Sequence, residues 1–430
     1  MTTPHPAPST VVGASAVWAP AVDGARLLAR LDELATISAR PAPGVTRLAY
    51  SPEDVAARGL VAAWMREAGL TTEIDPAGNL IGRRPGTGAA GVLAIGSHLD
   101  TVVDAGALDG AYGVVAAVEV AAALHAANVA LRHDLAVIAF SNEEGARGTP
   151  GMVGSLAVAG RLDPKQLAVP DDEGVPLRDR IADAGGDPDA IAKAAWPPGS
   201  LAAFLELHVE QGPVLDDAGL RAGVVTAVTG RATVDVTIEG AANHAGTTPM
   251  GRRADAGVAA ARIVLAVHAL AGADGVRVAT AGHLDLSPGV RNVVAGRAVV
   301  GVDLRDTDDD RVVAAVARLR AEAATIADET GTRISVAVRS SVAAAPAAGW
   351  LADCVRAAIA ELRLPCVELP SGAGHDAQIM AALGPIAMAF TPSIGGISHA
   401  PGEATHPDDL IAGADVLCRA LVHADTREPS

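Results

Sequence analysis

The stretch 91–100, "GVLAIGSHLD", decides how this chain is read. An apolar run suited to a buried strand stops at a histidine and an aspartate. A glycine-rich loop follows, "TVVDAGALDG" (101–110), then an apolar segment of helical length, 111–127. A second apolar run, "DLAVIAFSNEEG" (134–145), again ends in polar groups. Strand, helix and strand at this spacing predict a parallel α/β sheet. In such a sheet the carboxyl ends of the strands face the ligand crevice, so polar groups placed there invite a chemical reading.

Working outward, 23–69 reads as two helical segments with a turn at "ARPAPGVTR" (39–47). The second begins with Ser51 as N-cap and Pro52 in the first turn, and it ends at Gly69. "TTEIDPAGNLIGRRPG" (71–86) reads as two short strands around a turn. Residues 163–200 are rich in Pro, Asp and Gly and read as a surface insertion with one or two short helices. "AAFLELHVEQGPVL" (202–215) returns to an apolar strand with a polar end. From 230 the texture changes to alternating strands and amphipathic helices in the order β-α-β-β-α-β, a ferredoxin-like unit ending near 341. Beyond it the α/β texture resumes. The expected fold is therefore an α/β, metal-binding catalytic domain with a mostly parallel sheet, interrupted by an inserted ferredoxin-like α+β domain. The expected divisions are a mobile tail at 1–22, catalytic parts at 23–229 and 342–430, and the insertion at 230–341.

Composition narrows the function. The 430 residues are half hydrophobic but only 2% aromatic, so the core is built from small side chains. A net charge of −17 argues against a nucleic-acid binder, which needs a basic face for phosphates. It does not exclude a small anionic substrate held by one or two arginines. Cys354, Cys366 and Cys418 are far apart and odd in number, which suggests no disulfide framework. The N-terminus lacks the basic start and compact apolar core of a signal peptide. The apolar stretch 111–131 is interrupted by Glu119 and His125 and reads as a buried helix rather than a membrane span. A cytoplasmic protein is the default expectation.

Four polar clusters follow apolar strands: His98 with Asp100 and Asp109; Glu143 with Glu144; His208 with Glu210 and Gln211; and His375 and Asp376 with His399. Each has a plain alternative: solvated loop acids, an acidic helix N-terminus, a packed core histidine. Among them three histidines, His98, His208 and His399, and two acids stand in candidate ligand positions, with a third acid, Glu143, free to move a proton. On a strand His98 and Asp100 share a side, which places Asp100 to orient His98. Carboxylate with imidazole suits Zn²⁺, Mn²⁺, Co²⁺ or Ni²⁺ rather than a thiolate structural site. Rival motifs are weaker. "SGAGHDA" (371–377) has the shape of a dinucleotide loop but no acid at the right distance. There is no GxSxG, and "GTPGMVGS" (148–155) lacks the GK[ST] of a P-loop.

"GSHLDTV…DGAYGV", "FSNEEG", "ELHVEQGPVL", "NHAGTTPM", "SGAGHDA" and "GISHAPGE" occur in this order. Together they resemble the amidohydrolase branch of the M20 metallopeptidase-like family, which comprises allantoate amidohydrolases, N-carbamoyl-L-amino-acid hydrolases and β-ureidopropionases. The resemblance spans about 28–423. It implies two divalent metal ions per subunit, His98 and His208 on one, Glu144 and His399 on the other, and Asp109 bridging. It makes Glu143 the general base and then acid. It implies that the inserted domain is a lid pairing two protomers into a homodimer, with His244 polarising the scissile carbonyl in the neighbouring site. Asn292 and Arg305 would bind the substrate carboxylate, and Gln211 and His375 would line the pocket. The implied substrate is a small anionic ureido compound. Allantoate is favoured by the local texts "NHAGTTPMGRR" and "SGAGHDAQI"; an N-carbamoyl-L-amino acid or the β-ureidopropionase substrate N-carbamoyl-β-alanine is the alternative, and a dipeptide or acylated amino acid a more distant one. The chain departs from the family pattern at Ala146–Gly148 and in the turn before Asn292.

Overall fold

The computed structural model describes residues 19–40 and 43–427. The tail expected over 1–22 lies, up to residue 18, outside the described residues. Within 19–22, Ala19 and Val22 are buried, and the Val22 amide donates to Asp415 Oδ1 at 2.9 Å. The described chain forms two compact units. One runs to Thr226 and resumes at Pro346; the other is Ala227–Ala345.

The first unit opens with helices Gly24–Ala35 and Pro52–Glu67. The second is capped as its sequence predicts, with the Ser51 side chain accepting from the Asp54 amide. Strands β1 (Thr71–Ile74), β2 (Leu80–Arg84), β3 (Val92–His98), β4 (Asp134–Phe140), β5 (Leu201–Val209) and β6 (Ala222–Val228) follow. Helix Ala111–Ala126 joins β3 to β4 as a crossover. Nearly all its residues are buried, which explains why its apolar positions show no amphipathic period. The insertion between β4 and β5 holds only short helical pieces, among them Leu177–Asp183.

The second unit carries β7 (Gly230–Glu239), β8 (Asn243–His244), β9 (Val278–Ser287), β10 (Val293–Val294), β11 (Arg297–Asp306) and β12 (Arg333–Val342). Its four long strands lie in the order β12-β7-β11-β9, all antiparallel. Helices Ala256–His268 and Asp309–Thr330 pack on one face of that sheet, so β7 alternates buried side chains with more accessible ones. This is the order of a ferredoxin-like unit.

The chain then re-enters the first unit through β13 (Ala345–Pro346), helix Gly349–Glu361, β14 (Cys366–Ser371), β15 (Ile386–Thr391) and the long helix Pro407–Thr426. The large sheet runs β1-β2-β4-β3-β5-β15-β6-β13, with β14 beside β6. Its centre, β4-β3-β5-β15, is parallel; β1, β2 and β6 pair antiparallel. The parallel strands are buried on both faces, which accounts for their unbroken apolar runs. Among the described residues no helix is long and apolar enough to cross a membrane.

Candidate metal centre

Four parallel strands end side by side, and the polar clusters hang from those ends. His98 closes β3 and pairs in register with Phe140, the last residue of β4. His208 near the end of β5 pairs with Phe390 of β15. The loops after β4 and β15 carry Glu143 and Glu144, and His399. The loop after β3 must turn back sharply to bring Asp109 to the same place. Gly110 permits this at φ +61°; a Cβ there would lie 2.3 Å from the His98 ring.

The Asp109 carboxylate sits at the middle of the cluster. Its Oδ1 lies 3.6 Å from His98 Nε2 and 3.3 Å from His208 Nε2. Its Oδ2 lies 3.0 Å from His399 Nε2, and that nitrogen is 3.4 Å from Glu144 Oε1. Two groups of donor atoms, each within 4.8 Å, thus share one aspartate: His98, Asp109 and His208, and Asp109, Glu144 and His399. Glu143 Oε2 lies 3.8 Å from His98 Nε2 and belongs to neither group.

The donor set fits divalent cations. His98 Nδ1 contacts the carbonyl of Asp100 at 2.9 Å, and His208 Nδ1 contacts that of Val209 at 2.8 Å. Each Nδ1 must therefore carry hydrogen, which leaves the Nε2 lone pair facing Asp109. Glu144 Oε1 is buried without a hydrogen-bond partner. The set is hard carboxylate with imidazole and contains no thiolate.

The close packing of these groups shifts their titration. Burial disfavours charge on His208, but its hydrogen bond to Asp109 and the charges of Asp109 and Glu206 raise it to about 9. The hydrogen bond to Asp109 raises His399 to about 9 as well. Burial, with the nearby Asp109 charge, pushes Glu144 up to about 8. Burial opposes ionisation of Asp109 itself, yet hydrogen bonds from His208 and His399 hold it well below the usual carboxylate range. Burial, with Asp376 and Glu144 adding like charge, pushes Glu143 well up. Burial of this kind favours the protonated, neutral form of the carboxyl.

Several expected roles are altered by the geometry. The Asp100 carboxylate does not orient His98; its main-chain carbonyl does. The carboxylate turns away to accept the amides of Glu143 and Glu144 at 3.2 Å each, and so fixes the loop that carries both acids. The strand ends at His98, so the same-face rule no longer governs Asp100. His375 does not line an open cleft. It is 1% exposed, contacts Ser371 Oγ at 2.8 Å, and stacks edge-on against His208 with centroids 4.6 Å apart. Gln211 reaches the centre: its Nε2 donates to Asp109 Oδ2 at 2.8 Å. At the departure 146–148, Arg147 pairs with the buried Asp171 at 3.2 Å instead of meeting the cluster.

The remaining predicted residues lie in the second unit. His244 on β8 pairs with Val293 of β10, and the Ala245 amide donates to the Asn292 carbonyl, so His244 and Asn292 are neighbours. His244 Nδ1 accepts the amides of Gly246 and Thr247 at 3.0 and 3.2 Å. In its neutral form the exposed ring therefore presents Nε2–H as a donor. Arg305 is not with them. Its guanidinium forks onto Asp303 at 2.7 and 3.2 Å, at the end of β11 paired with Arg231. His244 lies beyond the opposite end, where Glu239 pairs with Arg297. The eight residue-to-residue steps from Arg297 to Arg305 span about 25 Å at the usual strand rise.

Two acids escaped the sequence reading. Glu206 is fully buried on β5, accepting from Ser97 Oγ at 2.7 Å and the Ala377 amide at 2.9 Å. Its signal was an acid inside an apolar strand, two residues before His208 and on the same face. Glu403 accepts main-chain amides beside Asp109. Its signal was only an acid in the Gly/Pro-rich loop after His399.

Residues 94–423 match the profile of peptidase family M20/M25/M40. The N-carbamoyl-L-amino acid amidohydrolase of Geobacillus stearothermophilus is 43% identical over 400 residues, covering 92% of this chain and 97% of that one. The allantoate deiminase of Arabidopsis thaliana is 33% identical over 423 residues, covering 91% and 80%. A hydantoinase/carbamoylase-family amidase from Burkholderia multivorans superposes with a TM-score of 0.86 at 36% identity, covering 95% of this chain and 99% of that one. The family profile takes in most of the chain and these relatives run nearly its whole length, so the protein belongs to peptidase family M20/M25/M40, in its amidase and carbamoylase branch, and is a hydrolase of carbon–nitrogen bonds.

Proposed function

We propose that the protein hydrolyses the carbamoyl group of an N-carbamoyl-L-amino acid at a two-metal centre, giving ammonia, carbon dioxide and the free amino acid. The observation that carries the reading is the Asp109 carboxylate, each oxygen of which faces a separate imidazole-bearing donor group. The sequence motifs alone favoured allantoate. The higher identity to one N-carbamoyl-L-amino acid enzyme, 43% against 33% for an allantoate deiminase, supports putting the carbamoyl amino acid first. Allantoate stays as the second reading because it too sets a carboxylate beside a ureido group.

His98 and His208 would hold one divalent ion, Glu144 and His399 the other, with Asp109 between. Bound ions supply Lewis acidity, lowering the pKa of water to about 7 and drawing charge from a carbonyl. Glu143 takes the proton from the attacking water and later returns it to the leaving nitrogen; its buried carboxyl is suited to both steps. His244 donates Nε2–H to the oxyanion, a contact worth roughly 3 kcal/mol in a preorganised site. Arg305 takes the substrate carboxylate, its fork oriented by Asp303. Asn292 assists at the His244 end, and Gln211 steadies the bridging carboxylate.

A homodimer formed through the second unit belongs to this reading. His244 and Asn292 at one end of that sheet and Arg305 at the other cannot touch one small substrate from a single chain. Two copies that exchange these groups can.

The test is ammonia release by the purified protein with added Mn²⁺ or Zn²⁺. The panel is several N-carbamoyl-L-amino acids, allantoate, N-carbamoyl-β-alanine and a dipeptide. The N-carbamoyl-L-amino acids should be turned over fastest. Turnover of the dipeptide alone would overturn the reading.

A further inference from the structure

We infer that Glu403 is a positioning residue for the metal centre, fixing Asp109 as the shared ligand and tying it to the loop that carries His399. The inference rests on the two-metal reading above. Glu403 is 9% exposed and spends its carboxylate on three contacts. Its Oε2 accepts the amides of Leu108 and Asp109 at 2.9 and 3.1 Å. Its Oε1 accepts the hydroxyl of Ser398 at 2.8 Å. That hydroxyl oxygen also lies 3.3 Å from Asp109 Oδ2. One side chain therefore grips the peptide on which Asp109 is mounted and the residue before His399.

The neighbourhood is shaped to admit it. Gly106 faces Glu403, and a Cβ there would stand 2.1 Å from its Oε2. A carboxylate this buried is costly unless its oxygens are met by donors, and charge-assisted bonds to main-chain amides meet them directionally. The direction is the functional part. Asp109 must offer its two oxygens to two separate groups, which fixes the rotation of its backbone as well as of its side chain. A general structural prop would serve anywhere in the loop; these bonds fall on the bridging residue itself and its predecessor. Partners that orient metal ligands typically contribute about 10–100-fold in metal affinity.

The experiment titrates Co²⁺ alone into the metal-free full chain and into Glu403→Ala, Glu403→Asp and Glu403→Gln. It follows the visible absorption of the bound ion, competition with a chelator, and thermal melting of the metal-free proteins. Alanine removes the acceptor and aspartate withdraws it by one methylene. Glutamine can still accept both amides with its carbonyl and donate to Ser398. Alanine and aspartate should weaken Co²⁺ binding by about tenfold or more and change the spectrum, and glutamine should restore both. If alanine does not fold, aspartate carries the test. Unaltered affinity and spectrum in the aspartate variant would overturn the inference, whatever happens to its melting temperature. Equal Co²⁺ binding by the unaltered protein and Asp109→Asn would overturn the metal-centre reading, and the role of Glu403 with it.

Discussion

Asp109 divides its carboxylate between two histidines from opposite parts of the chain: Oδ1 faces His208 Nε2 at 3.3 Å and Oδ2 faces His399 Nε2 at 3.0 Å. Neither donor group is complete without it. Asp109→Asn keeps the volume and removes the charge, and the amide can offer only one oxygen. Metal affinity should fall by more than about 100-fold, beyond what outer partners of a metal ligand contribute. Metal content after dialysis, measured by elemental analysis, checks this. Two ions retained by the variant would remove Asp109 from the bridge.

Loading of the metal-free protein should depend steeply on pH. His208 and His399 are raised to about 9 and Glu144 to about 8, so all three hold protons at pH 7. Cations must displace those protons, and apparent affinity should climb from pH 6.5 to 9 and then level. The stability of the metal-free protein should move the other way. These groups bind protons more tightly folded than unfolded, so the stability they add is present at low pH. It is lost as pH rises from 6.5 through 9 for the histidines and from 4.5 through 8 for Glu144. Thermal melts across this range, with and without Mn²⁺, should therefore diverge. Parallel curves would contradict the assignment.

Glu143→Gln tests the proposed proton carrier. Glu143 stands 3.8 Å from His98 yet belongs to neither donor group, so an amide there should leave metal content intact. Turnover should drop by at least about 100-fold, since general acid–base catalysis of this kind contributes about 10²–10⁴. The KM for the proposed carbamoyl substrate should change little. Retained turnover would move the base elsewhere, and lost metal would make Glu143 a ligand.

Much of this was legible before the structure because strand ends carry chemistry in parallel sheets. An apolar run that stops at "SHLD", "SNEEG" or "LHVEQG" marks both the strand and the group it presents. The insertion was legible because its periodicity changes at its start. Contacts that depend on main-chain direction were not. Asp100 turns from His98 to the next loop because the strand ends two residues earlier, at His98, and no spacing rule reports that. Glu403 meets residues 294 and 295 positions away through main-chain amides that carry no sequence signature. The Arg305–Asp303 pair was legible in principle, since residues two apart on a strand share a face.

The separation of His244 from Arg305 makes the sharpest demand. About 25 Å of strand lies between them, while a carbamoyl amino acid spans a few ångströms. If both act on one substrate, they come from different chains, and the two sites of a symmetric dimer each draw one group from each protomer. His244→Ala and Arg305→Ala should each be nearly inactive as homodimers. In a mixed dimer, one site loses both groups and the other keeps both. Unfolding and refolding an equal mixture should then restore about a quarter of full activity, since random pairing makes half the dimers mixed and each of these has one working site. The unmixed variants, refolded in the same way, should regain none. No recovery from a mixture shown by mass spectrometry to contain mixed dimers would mean that one chain supplies both groups, or that one of the two does not act on the substrate.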